Sequence, residues 1–172
     1  MSDQKIHKLV LAALFAALCT IMTMVIQVPS PVQGYVNLGD CAVLLAAWVL
    51  GPLYGGAAAG VGSMLADLLT GYAHYAPGTF AVKLAMAVAA GLLFRRLQQR
   101  RTPRLVRSQA VSGLVAETIM VAGYFGYACL WLGKGLAAAA SVPGNVVQGC
   151  FGLAAAVAVY ALLDRSHALA RI

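Results

Sequence analysis

Charged side chains are rare in this chain, and the few that could recognise a ligand stand in or beside long apolar runs: Asp40, Asp67, Lys83 and Glu117. An ion near the centre of a membrane helix costs at least ~2.5 kcal/mol, so each of these needs a partner or a task. Tyr124 follows Glu117 by seven residues and so shares its helical face. Asn145 and Gln148, three apart, share another. Asn37, Tyr72, His74 and Tyr75 fall in two polar loops. Carboxylates, amides, one lysine and tyrosine rings form a set suited to hold a small polar ring, with Tyr35, Tyr72, Tyr75 or Tyr124 as stacking faces. The candidate contacts are therefore Asn37, Asp40, Asp67, His74, Lys83, Glu117, Tyr124, Asn145 and Gln148. A plainer reading stands beside this one. In it Lys83 pairs with Asp67 or Glu117, Asp40 caps a helix start, the amides tie helices together, the loop tyrosines are interfacial belt residues and His74 is incidental.

Other chemistries lack their signatures. The chain has no GxxxxGK[ST], HExxH or GxSxG motif, so nothing in it hydrolyses ATP and any pumping requires a partner. Cys19, Cys41, Cys129 and Cys150 are scattered through apolar sequence with no CxxC or Cys/His spacing; they read as packing residues, and no metal or cofactor is expected. No pair of residues has nucleophile-and-base spacing, which ranks an intramembrane enzyme last.

The elements that must position these residues are membrane spans. The chain is 62% hydrophobic and 10% charged, whereas a soluble domain carries charge at about a quarter of its positions. The pattern predicts an all-α membrane protein, a bundle of six transmembrane helices forming one domain over residues 1–172. The predicted spans are residues 7–28, 40–50, 53–70, 79–94, 108–132 and 141–163, with polar loops at 33–39 and 71–78. Pro29 and Pro31 end the first, and Gly51-Pro52 separates the second from the third. The first apolar run exceeds the ~7–15 residues of a secretory signal, so it is read as a retained span.

Lysine and arginine set the orientation. The net charge of +7 is concentrated: six of the twelve basic residues lie between Arg95 and Arg107. Next to apolar spans this reads as a cytoplasmic loop at anionic lipid, with no nucleic acid involved. With six crossings and both termini cytoplasmic, ten of the twelve basic residues, Arg165 and Arg171 among them, lie inside; Lys83 and Lys134 do not. One long helix over 40–70 would flip the parity and is rejected. A re-entrant hairpin there preserves it and stays open. The candidate contacts then project from five segments to the outer half of the bundle.

Ala12, Ala13, Ala16 and Ala17 form two overlapping small-xxx-small pairs, a flat stripe that lets another helix approach closely. Gly51, Gly55, Gly56, Gly60 and Gly62 have the same meaning within the bundle.

This stripe, the segment Gly34-Tyr-Val-Asn37-Leu-Gly-Asp40, the run Gly51-Pro-Leu-Tyr-Gly-Gly56 and Ser141-Val-Pro-Gly-Asn145 together resemble the substrate-binding S components of energy-coupling factor transporters. The likeness covers nearly the whole chain and is nearest the riboflavin-type branch, which also holds members assigned to pyrimidine and pyridoxine precursors and to queuosine precursors. It implies capture of a vitamin-like solute from outside, beneath the first loop and among the last three helices, in the cell membrane of a prokaryote. It further implies that Ala12, Ala13, Ala16 and Ala17 face a transmembrane coupling subunit, powered by two ATPase subunits. Two readings from other classes compete with it: a solitary channel or facilitator, and a membrane scaffold whose buried charges only hold the bundle together.

Overall fold

The structure, a computed structural model, describes residues 3–30, 34–102 and 104–167. Gln33 and Arg171 lie outside the described residues. The chain forms α1 (Asp3–Val25), β1 (Gln27–Pro29), β2 (Tyr35–Asn37), α2 (Gly39–Leu50), α3 (Pro52–Leu69), α4 (Ala76–Gln98), α5 (Leu105–Gly126), a π-helical turn (Tyr127–Trp131), a 3-10 segment (Gly135–Ser141) and α6 (Val142–Arg165). Among the described residues, four segments are long and apolar enough to cross a membrane: α1, α4, α5 with its π turn, and the 3-10 segment with α6. The glycine- and alanine-rich α3, 18 residues long, is not among them.

The first helix was expected to run to residue 28, and it stops at Val25. Residues 27–29 instead pair antiparallel with β2, Val28 opposite Val36. The reason is local: Pro29 cannot continue a helix, and Ile26 and Val28 are β-branched residues suited to an extended backbone. The loop expected at residues 33–39 is thus partly a strand. The fourth helix starts at Ala76 rather than residue 79, with Pro77 in its first turn, where a missing N–H costs nothing.

Helix α2 is the inner element. It packs against α1, α3, α4 and α6, and every residue except Val49 is buried. That all-round burial explains its lack of a polar face. Twelve residues rise only about 18 Å, short of the ~30 Å hydrocarbon core. Gly51 turns the chain into α3 with φ 81°, a left-handed value that a side chain would strain. The Arg95 guanidinium packs against that turn and donates to the carbonyl of Leu50 at 3.3 Å, satisfying one orphan carbonyl at the end of α2.

Near the same end Trp48, Phe94 and Tyr160 cluster with ring centroids about 6 Å apart, and Trp48 Nε1 donates to Ser112 Oγ at 3.0 Å. On the other flank α1 lies directly on α3. A Cβ at Gly62 would run into the carbonyl of Ala16, and the Thr20 hydroxyl donates to the Gly62 carbonyl at 2.8 Å. The alanine stripe is therefore divided: Ala12 and Ala16 are half-buried, while Ala13 and Ala17 are exposed beside Leu14 and Leu18. The cysteines divide too, with Cys19 and Cys41 buried in the core and Cys150 exposed.

Candidate functional site

Burying an ion requires a counter-ion, and the structure supplies one that the sequence reading did not choose. Lys83, 1% exposed, donates to Asp40 Oδ1, so its partner is Asp40 and not Asp67 or Glu117. Asp40 is not a helix cap: the residue at the cap position is Leu38, and the Asp40 carboxylate sits wholly buried within the first turn of α2. Its other oxygen, Oδ2, accepts from Gln148 Nε2 at 2.7 Å. Gln148 Oε1 in turn accepts from the backbone N–H of Asn37 at 2.7 Å, and Asn37 Oδ1 accepts from the Gly39 N–H at 2.8 Å. One chain of bonds thus joins α4, α2, α6 and β2. Its geometry depends on α6, where Asn145, Gln148, Gly149, Gly152 and Ala156 make up the buried face. A Cβ on Gly152 would lie 2.6 Å from Asp40 Cβ.

Beside this network lies a narrow cavity, open at its mouth, with an interior volume of about 40 Å³. Its lining includes Tyr35, Asn37, Asp67, Lys83, Tyr124, Asn145 and Gln148, with Tyr75 and the hydroxyls of Thr23, Ser30, Ser63 and Thr79. Tyr35 donates to Asp67 Oδ1 at 2.5 Å, and the Thr79 hydroxyl lies beside the same carboxylate. Burial, reinforced by the charge of Asp67, pushes the Tyr35 phenol above its usual range, so it stays a donor. Tyr124 donates to Thr79 Oγ1 at 3.2 Å, and its ring centroid is 5.5 Å from Lys83 Nζ.

Several buried atoms on this lining have no partner among the described residues: Thr23 Oγ1, Ser30 Oγ, Ser63 Oγ and Asp67 Oδ2. Buried polar groups are nearly always satisfied, so a cluster of unsatisfied ones around a cavity points to something that fills it. Asn145, 7% exposed, adds an amide with both donor and acceptor.

Two predicted contacts lie elsewhere. Glu117 faces Gly149 and lines a separate apolar groove between α5 and α6; neither carboxylate oxygen accepts from a donor among the described residues. His74 is exposed, its ring 4.9 Å from Tyr75, and its carbonyl accepts from the Tyr127 hydroxyl at 2.9 Å. Aromatic rings gather at this end: Tyr35 and Tyr72 meet edge to face at 4.6 Å, and Lys134 donates to the Tyr75 hydroxyl at 3.1 Å. The sequence reading missed Thr23, Ser30, Ser63 and Thr79. Hydroxyls at such positions are common as backbone-bonded helix residues, so only their convergence distinguishes them.

Fold and cavity together define an all-α, multi-pass membrane bundle with a polar pocket among its helices. The chain belongs to the family described as ECF-type riboflavin transporter, S component, whose pattern matches residues 3–165. It is 36% identical over 135 residues to an uncharacterized protein in the gap 3′ region of Pyrococcus woesei, covering 78% of this chain and 86% of that protein. Its fold resembles a structure described as the S component of a bacterial ECF transporter, with TM-score 0.66 at 17% identity over 94% of this chain and 97% of the other.

Proposed function

We propose that this protein captures a small vitamin, or a vitamin or nucleobase precursor, at the outer face of a prokaryotic cell membrane for ATP-driven uptake. The whole chain acts as one substrate-binding domain with no catalysis of its own. The observation that carries this reading is the set of unpartnered buried polar atoms around the cavity next to the β1–β2 hairpin. Asn37, Asp67, Tyr124 and Asn145 touch the ligand, with Tyr35 and Tyr75 as ring faces. Asp40, Lys83 and Gln148 hold the floor, because their own bonds are already committed. Riboflavin, a pyridoxine- or hydroxymethylpyrimidine-like ring and a queuosine precursor are all of suitable polarity.

Charge supports six crossings with both termini inside, since the arginines of 95–107 then face the cytoplasm. The exposed Ala13 and Ala17, next to half-buried Ala12 and Ala16, are a flat surface for a transmembrane coupling subunit, with two ATPase subunits behind it. Uptake of labelled vitamins by cells expressing this chain with and without a coupling subunit and ATPase pair tests the assignment. Uptake that needs the partners and stops without ATP is expected. Equal, gradient-driven uptake by the chain alone would make it a facilitator.

A further inference from the structure

The charge and hydrogen-bonding state of the cavity narrows what it accepts. Among the described residues, Asp67 and Lys83 are the charged ones of the lining, and Lys83 is already neutralised by Asp40. That leaves Asp67, 3% exposed, with Oδ1 taken by Tyr35 and Oδ2 without a donor among the described residues. An anionic ligand would bring a second negative charge against this carboxylate with no uncommitted lining cation to offset it. A ligand N–H would instead complete the empty acceptor. The three orphaned hydroxyls of Thr23, Ser30 and Ser63 can each donate or accept, and Asn145 offers both, so they fit the ring nitrogens and hydroxyl groups of a neutral heterocycle. Tyr35 and Tyr124 supply flat faces on the same lining.

We infer that Asp67 makes this a site for an uncharged or weakly basic amino-substituted nitrogen heterocycle, its exocyclic amino group donating to Asp67 Oδ2, and that the site rejects the same ring carrying a phosphate. This rests on the solute-capture reading above and goes one step further, to the edge of the ring that is recognised. A pocket built to bond an N–H discriminates strongly against an analogue lacking it, because the buried acceptor is left empty.

The test is calorimetric titration of the full-length protein in detergent with matched probes. These are a hydroxymethyl-substituted aminopyrimidine and a bicyclic aminopyrimidinone, the counterpart of each with oxo in place of amino, and the phosphate ester of the first. At least one amino compound is expected to bind about tenfold or more tightly than its oxo counterpart, with the phosphate ester undetectable. Asp67→Asn is expected to remove that preference. Should that variant not fold, Tyr35→Phe, which frees Oδ1 and leaves Oδ2 in place, is expected to keep it. Binding of oxo and amino partners with equal affinity, or tight binding of the phosphate ester, overturns the inference while leaving solute capture intact. Binding of none of the probes, while riboflavin or pyridoxine binds, also overturns it alone. Failure of every compound to bind removes both.

Discussion

Lys83 of α4 donates into the carboxylate of Asp40 in the first turn of α2, and neither side chain reaches solvent. The pair joins two helices beside the cavity, whose lining includes Lys83, and Gln148 from α6 completes it. Removing one partner strands the other charge in the bundle, which typically costs about 3–5 kcal/mol. Asp40→Asn is therefore expected to lower the thermal midpoint sharply in detergent. Combining it with Lys83→Met should recover most of the loss, because an apolar replacement of a buried pair is often neutral. A double variant no more stable than the single one would contradict this account of the pair.

Helix spacing gives a second test. At Gly62 a methyl group would meet the backbone of Ala16, whereas at Gly126 nothing lies within 4 Å. Gly62→Ala is expected to destabilise by about 1–3 kcal/mol through overpacking of α1 on α3. Gly126→Ala should be neutral or stabilise by up to about 1 kcal/mol through helix propensity. Thermal unfolding of the two variants side by side checks both signs.

Glu117 lies near the Asp40–Lys83 pair but off the cavity lining, on the groove between α5 and α6. It lies opposite Gly149, and neither of its oxygens accepts a hydrogen bond among the described residues. Glu117→Gln removes a buried carboxyl without emptying the cavity lining, so ligand affinity should change by no more than about twofold and stability should not fall. Affinity loss as large as that of a lining variant would move Glu117 back into the site.

The divided alanine stripe makes a prediction about coupling. Ala13 and Ala17 are exposed, so tryptophan at either position should leave folding and ligand binding unchanged. It should nevertheless abolish partner-dependent uptake by holding the coupling subunit away, read by co-purification of the subunits. The same substitution at Ala16, whose carbonyl touches Gly62, is expected to disturb the bundle itself.

The spans and the gathering of polar residues were legible because hydrophobic length and the placement of rare ions are strong signals. The pairing of those ions was not. Asp40 stands just after a loop, so it reads as a helix cap at the bundle's edge, but 27–29 and 35–37 form a hairpin and α2 is wrapped on all sides. The clue was present in the shortness of α2 and its lack of any polar face. A segment as short as Ile26-Gln27-Val28 gives no periodicity to tell strand from helix, and the pairing of Val28 with Val36 decides it. Glu117 shares a helical face with Tyr124 by spacing and His74 shares a loop with Tyr75, yet only the tyrosine of each pair lines the cavity among the described residues.

Native mass spectrometry of the protein purified in detergent, compared with Asn145→Ala protein of the same fold, addresses solute capture most directly. The cavity's unpartnered donors and acceptors predict a co-purified or added heterocycle retained by the parent protein and weakened about tenfold or more by loss of the Asn145 amide. An empty protein that takes up no vitamin or nucleobase precursor, or a ligand held equally by both proteins, would contradict it.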